Sequence, residues 1–254
     1  MSLRRAEREE ATGTDGQTAA TDRTAAEADE FTVDDVTVVM GTYNEEDAVG
    51  TVLDDIHAVT GGRANVVCVD SSTDHTAAIA RGRGARVIEQ EPRGYGAALE
   101  RAIEAADRPV VVTTDCDDTY PMERLPEFLA LVNEGYDVVS GDRLSGGAAA
   151  MPRVNRLGNR AFALAASALA GRRVHDVTTG MRAYRREVLA DIEWTENTGL
   201  SAELLLRPLM RGYAVREEPI EYRERVGETT LDPLAGGAAI AGSILRVCAE
   251  ERLP

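Results

Sequence analysis

Two aspartates separated by one residue, Asp115 and Asp117, stand at the end of an apolar run over 109–114. Carboxylates this close repel each other unless a cation lies between them or one holds a proton. A divalent ion with oxygen ligands removes the conflict, and Mg²⁺ or Mn²⁺ keeps positions open for phosphate oxygens. Asp is also a common turn residue, so an isolated Asp-x-Asp says little. Here two further apolar runs end in the same way. Thr42-Tyr43-Asn44-Glu45 follows 36–40, and Asp70-Ser71-Ser72 follows 65–69.

For these groups to meet, the runs must lie side by side. Residues 36–40, 65–69, 85–89, 109–114 and 136–140 are short and apolar, with little polar alternation, as in strands covered on both faces. Amphipathic segments over 45–59, 74–81 and 96–106 alternate with them. Strands alternating with helices predict a mostly parallel sheet with right-handed crossovers, and ligands then bind at the carboxyl edge of the strands. The second half is less regular. An Ala-rich helix over 154–169, a helix over 200–211, one or two strands over 214–222 and a terminal helix after Pro233 are expected.

The 254 residues suit one α/β domain. The boundaries read as an acidic, disordered leader over 1–30, a catalytic domain over 31–232 and a C-terminal helix over 233–254. Every fixed cation is arginine: 28 of them face 44 acids, for a net charge of −16. Such a surface suits high salt and argues against nucleic acid as a partner, which calls for a basic stripe. Three cysteines without CxxC spacing argue against zinc or a disulfide framework. No apolar run reaches the roughly 20 residues of a membrane span, and 1–30 lacks the apolar centre of a signal peptide. A cytoplasmic protein is expected.

The ordered motifs resemble family 2 glycosyltransferases. Gly41-Thr42-Tyr43-Asn44-Glu45 is similar to the first-strand signature of that family, and Asp70-Ser71-Ser72-Thr73-Asp74-His75-Thr76 to the second. Arg93-Gly94-Tyr95-Gly96-Ala97-Ala98 resembles its glycine turn, and Asp115-Cys116-Asp117-Asp118-Thr119-Tyr120-Pro121 its Asp-x-Asp segment. Ser140-Gly141-Asp142-Arg143, the segment from Asp176 to Arg182, and Ser201-Ala202-Glu203 follow in order. The order and spacing resemble the branch that makes dolichyl-phosphate-linked sugars, and the Asp118-Thr119-Tyr120-Pro121 form resembles archaeal hexose-transferring relatives. Gly41 stands where the family usually has proline, which implies a looser first loop. Thr119 stands where some mannosyl-transferring relatives place an extra metal ligand.

The resemblance implies a glycosyltransferase A-type, Rossmann-like mixed sheet flanked by helices. It also implies metal-dependent transfer, with inversion, of a hexose from UDP-glucose or GDP-mannose to a polyprenyl or dolichyl phosphate. By the same resemblance, Thr42, Tyr43, Glu45, Asp70, Arg93, Gly94 and Asp115 hold the nucleotide sugar. Asp115 and Asp117 hold Mg²⁺ or Mn²⁺, with Asp117 the principal ligand. Arg143, Arg153 and Arg156 are the expected forks for the acceptor phosphate, Arg143 and Arg156 with a catalytic share. Arg225, before Gly227, is also expected to bind the acceptor, from a closing loop.

Glu203 opens an apolar helix, where a carboxylate equally suits the helix dipole. His57, His75 and His175 lack metal-ligand spacing and read as structural. Two other functions fit parts of the pattern. A soluble saccharide or protein acceptor would need a carboxylate base, with Glu203 or Asp142 the places to look. A non-catalytic nucleotide-sugar-binding module would need no base at all. A lipid acceptor would bring the chain to a membrane surface; the terminal helix is expected to pack on the fold, with contact at the membrane surface the alternative.

Overall fold

The computed structural model describes residues 30–195, 197–227 and 233–252, so the expected leader falls outside the described residues apart from Glu30. The β-branched runs pair as strands: β1 (Val36–Thr42), β2 (Asn65–Asp70), β3 (Arg86–Glu89), β4 (Val110–Thr113) and β5 (Val138–Asp142). Two more, β6 (Arg182–Arg185) and β7 (Val215–Pro219), complete one sheet in the order β3-β2-β1-β4-β6-β5-β7. All neighbouring pairs are parallel except those of β6, which runs antiparallel between β4 and β5. The sheet is therefore mixed and mostly parallel, as the sequence implies.

Alternation along each strand sends side chains to opposite faces. Val38 and Met40 of β1 join one core, with α1 (Val49–Thr60), α2 (Thr76–Gly82) and α4 (Leu125–Asn133). Val39 joins the other, with α3 (Tyr95–Glu104), α7 (Arg186–Ala190) and α8 (Leu200–Met210). A short α5 (Arg143–Gly146) follows β5. Outside α8, a third cluster gathers α6 (Arg153–Ala170) and α9 (Pro233–Glu250). The predicted terminal helix is thus packed. Ile244, Val247 and Cys248 are buried, Ser243 Oγ donates to the Gly199 carbonyl at 3.0 Å, and Arg207 of α8 pairs with Glu250 at 2.7 Å. All three cysteines are free and buried.

Sequence reading missed β6 because arginines flank it. Arg182 is nevertheless fully buried, with Nε donating to Ser140 Oγ at 3.0 Å and Nη2 to the Val177 carbonyl at 3.2 Å. Gly41 also departs from expectation. It pairs with Val69 inside β1, and a Cβ there would meet Ala98 Cβ at 3.0 Å. The missing side chain admits α3 against the strand and does not loosen a loop.

At the junction of β5, α5 and the segment before β6 lies an ion pair taken out of water. Arg143 Nε and Nη2 donate to the two carboxylate oxygens of Asp176 at 2.7 and 2.9 Å, with Asp176 fully buried. Burial pushes the Asp176 carboxyl up, and Arg143 outweighs it, so its pKa lies below the usual carboxylate range. Removing one partner strands a charge in the interior. Asp176→Ala is expected to lower stability by about 3–5 kcal/mol, read as a shifted midpoint in chemical denaturation at fixed salt.

Candidate active site

Parallel register puts the three motif ends on one edge, because Thr42 pairs with Asp70 across β1 and β2 and Val39 with Thr113 across β1 and β4. Asp70 braces the first two. Its Oδ1 accepts from Thr42 Oγ1 at 2.6 Å and from Ser72 Oγ at 2.7 Å. The Asn44 amide donates to Ser72 Oγ at 2.8 Å, and Asn44 Oδ1 accepts from the Thr73 amide at 2.9 Å. Asn44 and Asp118 are the only non-glycine residues with positive φ among the described residues, at 56° and 60°. Both sit in site loops, directly before Glu45 and directly after Asp117. Asn and Asp tolerate this left-handed turn better than other side chains, and such strain concentrates at functional sites.

Two carboxylates converge on one guanidinium, with a third, Asp115, in the same cavity. Arg225 Nη1 donates to Asp117 Oδ2 at 2.6 Å, and its Nη2 pairs with Glu45 Oε1. The Asp117 carbonyl accepts from the Val226 amide at 3.0 Å, which ties the Arg225 segment to the Asp-x-Asp turn. Thr119 donates its hydroxyl to Asp117 Oδ1 at 2.6 Å, so it orients the carboxylate. Asp115 accepts from the Tyr95 hydroxyl at 2.9 Å and lies under Gly180, where a Cβ would come within 2.7 Å of its oxygen. Burial, reinforced by Asp117, raises the Asp115 pKa to about 6. Burial raises Glu45 to about 7, Arg225 opposing it and the two aspartates adding to it.

This arrangement suits a divalent cation with few protein ligands. Among the described residues no group of three or more His, Cys, Asp or Glu forms a cage. Asp115 and Asp117 supply two carboxylates, and Glu45 Oε2 and Arg225 Nε are buried without a hydrogen-bond partner. Mg²⁺ and Mn²⁺ are commonly held by one or two carboxylates with substrate phosphates filling the remaining positions. A cation at Asp117 would take over the neutralising role that Arg225 holds here.

A cavity of about 510 Å³ opens at this edge. Of the sequence-predicted residues it gathers Thr42, Tyr43, Glu45, Gly94, Asp115, Asp117 and Arg225. Asp70 lies behind Thr42 as a brace. Arg93 is exposed, with its carbonyl accepting from Asn197 Nδ2 at 2.7 Å. Arg153 is exposed and Arg156 half-buried on the first turn of α6, and neither lines the cavity. Arg143 lies deeper, between the Tyr120 and Tyr222 rings, and its Nη2 also donates to Thr178 Oγ1 at 2.8 Å. Thr178 lines the cavity, so Arg143 reaches it through that hydroxyl.

Neither carboxylate considered as a base for a soluble acceptor lines the cavity. Glu203 is fully buried and accepts from Arg207 Nε at 2.7 Å. Asp142 caps the Leu144 and Ser145 amides, each at 3.0 Å. The three histidines are also outside the lining, hydrogen-bonded to the Arg83 carbonyl, Glu46 and Asp142. Sequence reading missed Tyr95, Asn197, Thr198, Ser201 and Ile240. Tyr95 sits inside a motif valued only for its glycines. Asn197 closes on that turn, where a Cβ at Gly96 would approach the Asn197 carbonyl to 2.4 Å.

A cation at Asp117 would have to compete with Arg225. Arg225→Ala is expected to tighten Mn²⁺ binding in the absence of nucleotide by about tenfold, measured by titration calorimetry. Ionised carboxylates are needed for the cation, and Glu45 and Asp115 release protons near 7 and 6. Mn²⁺ affinity is therefore expected to rise between about pH 5 and 8 and level off above. The metal-free protein follows the opposite sign. Glu45 binds its proton more tightly folded than unfolded, so its stabilising contribution is complete below its unfolded pKa and lost as pH rises through about 7. Glu45→Gln should remove that part of the slope.

Comparison with known proteins agrees with this geometry. The model of the glycosyl transferase family 2 matches residues 37–193. A dolichyl-phosphate hexose transferase of Haloferax volcanii is 71% identical over 224 residues, covering 88% of this chain and 98% of that protein. A polyprenol monophosphomannose synthase of Mycolicibacterium smegmatis is 29% identical over 208 residues, covering 74% of this chain and 77% of that one. Among solved structures, glucosyl-3-phosphoglycerate synthase from Mycobacterium tuberculosis, in complex with Mn²⁺, UDP and glucosyl-3-phosphoglycerate, superposes with a TM-score of 0.69 at 25% identity. That match covers 84% of this chain and 80% of the other. With the family model spanning more than half its length and its motif carboxylates gathered in one cavity, this chain is a glycosyltransferase of family 2.

Proposed function

We propose that the enzyme transfers a hexose, with inversion, from UDP-glucose or GDP-mannose to a polyprenyl or dolichyl phosphate, with Mg²⁺ or Mn²⁺. The name of the 71% identical relative supports the acceptor, and the Mn²⁺ and UDP of the solved neighbour support the cofactor and a nucleotide donor. One observation carries the acceptor reading. The carboxylates lining the cavity, Glu45, Asp115 and Asp117, are those engaged around Arg225 and the cation seat, while Glu203 and Asp142 face elsewhere. An acceptor that arrives already ionised needs no base, and a phosphate monoester, with its second pKa about 6, does so.

An acceptor phosphate oxygen forms the new bond to the anomeric carbon. The bond from that carbon to the donor's β-phosphate oxygen breaks, and the electron pair leaves with the nucleoside diphosphate. A bound divalent cation would neutralise that leaving group. Thr42, Tyr43 and Glu45 face the nucleobase and ribose, with Asp70 holding Thr42 and Ser72 in place. Tyr95 orients Asp115, and Thr119 orients Asp117. Were a cation held at Asp117, it would relieve Arg225 of neutralising that carboxylate, and the guanidinium could pair with a phosphate. Arg153 and Arg156 are the accessible forks for the acceptor, and Arg143 steadies Thr178 at the cavity wall. Among the described residues no helix is long and apolar enough to cross a membrane, and a membrane-borne acceptor places catalysis at the cytoplasmic membrane face.

Glu45 gives a second reading its foothold. A carboxyl with a pKa of about 7 inside the cavity is matched to general-base work on a sugar or protein hydroxyl. Assays with UDP-glucose and GDP-mannose against dolichyl phosphate and against soluble saccharides, with and without EDTA in high salt, separate the two. The expected result is a lipid-linked product that EDTA abolishes and that Asp117→Asn reduces by about 100-fold or more. Absence of lipid-linked product from every donor overturns the lipid-acceptor reading.

A further inference from the structure

Helix α3 opens without a cap of its own. Gly94 precedes it at φ 97°, and no side chain at that position accepts from the first amides of the helix. Such amides need a partner, and Ser, Thr, Asp or Asn ordinarily supplies it from the position just before the helix. Here the partner stands 101 residues further along the chain. Asn197 Oδ1 accepts from the Gly96 amide at 2.9 Å, and Asn197 Nδ2 donates to the Arg93 carbonyl at 2.7 Å. One carboxamide therefore closes both ends of the turn over 93–96.

Both glycines of the turn fit this contact. A Cβ at Gly94 would lie 2.7 Å from the Asn197 carboxamide, and one at Gly96 would lie 2.6 Å from Asn197 Cα. Asn197 is itself exposed, so it contributes through direction and little through burial. The residue that the closed turn directs is Tyr95, between the glycines, whose hydroxyl donates to Asp115 at 2.9 Å.

The segment carrying Asn197 is pinned on either side. Thr195 donates its amide to Glu203 at 3.0 Å and its hydroxyl at 2.9 Å, and its oxygen accepts from Arg207 Nη2 at 3.2 Å. The Gly199 carbonyl accepts from Ser243 Oγ of α9 at 3.0 Å. Glu203, fully buried and outside the cavity lining, thus anchors a segment that does reach the cavity. Thr198 and Ser201 line it from this side, and Gly94, Tyr95 and Ala98 from the α3 side.

We infer that Asn197 is a positioning residue for donor binding and acts through Tyr95. Its carboxamide caps α3 from outside, holds the Tyr95 hydroxyl on Asp115 and joins two stretches of cavity wall. Without it the Gly96 amide turns to water, and a turn with two glycines gains many conformations. The inference rests on the nucleotide-sugar reading for its use, while the closed turn itself needs no ligand.

The test has two readouts. Hydrogen exchange over residues 93–99 of the unliganded protein is expected to quicken about tenfold in Asn197→Ala, while α4 keeps wild-type protection. Titration calorimetry with UDP and with GDP, each with Mn²⁺, is expected to show affinity about tenfold weaker in Asn197→Ala and in Tyr95→Phe. The double variant should lose no more than the weaker-binding single, because both changes release the same contact. Asn197→Leu keeps the shape and removes the hydrogen bonds, and it decides the matter should Asn197→Ala misfold. A side chain that only stabilised the fold would lower the unfolding midpoint and leave the nucleotide affinity of folded molecules intact. That outcome overturns the proposal. So does unchanged exchange over 93–99, or losses that multiply in the double variant. A wild type that binds neither nucleotide overturns the donor reading instead, and the exchange result then decides whether Asn197 closes the turn.

Discussion

The site stands on a guanidinium held out of water. Arg143 is buried with Asp176, and the geometry around the pair fixes the wall of the cavity. Its Nη1 reaches the Tyr120 hydroxyl at 3.2 Å, and that hydroxyl accepts from the Gly180 amide at 2.6 Å. The Gly180 carbonyl in turn accepts from Thr113 Oγ1 at 2.7 Å, at the end of β4. The segment carrying Gly180 is thereby pressed onto Asp115. A buried ion pair is a weak source of net stability compared with apolar packing, yet costly to break on one side only. Here it ties two loops to the end of a strand through the Tyr120 hydroxyl and Gly180.

The same economy of charge shapes the open site. Asp117 and Glu45 share Arg225 as a common counter-charge, and Asp115 accepts from the Tyr95 hydroxyl. The consequence is a graded set of proton affinities within one cavity, with Asp115 near 6 and Glu45 near 7. Such spread is what burial and like charge produce when too few cations are present. The site is thus prepared for added positive charge, and the arginine that substitutes for it comes from the 223–227 segment, held to the Asp-x-Asp turn by two backbone hydrogen bonds.

Charge also partitions the surface. Acid predominates over most of the chain, and helix α6, with Val154, Leu157 and Leu164 exposed, is set in a stretch without any acid.

The sequence by itself determined the sheet's first half and the edge on which the chemistry lies. Uninterrupted β-branched runs can only be strands covered on both faces, and their polar ends must then collect at one carboxyl edge. That logic identified Thr42, Glu45, Asp115 and Asp117 as cavity neighbours without reference to coordinates. It failed where polarity and position diverge. Arg182 and Arg143 carry charge and are buried, so β6 was invisible to a reading of polarity, and Arg143, expected as a fork for the acceptor phosphate, is engaged by Asp176 instead. The spacing of Val154, Leu157 and Leu164 reads equally well as core or as surface, because periodicity reports that a helix has an apolar face and not what covers it. Only the tertiary structure decided that, since covering is a property of neighbours distant in the chain.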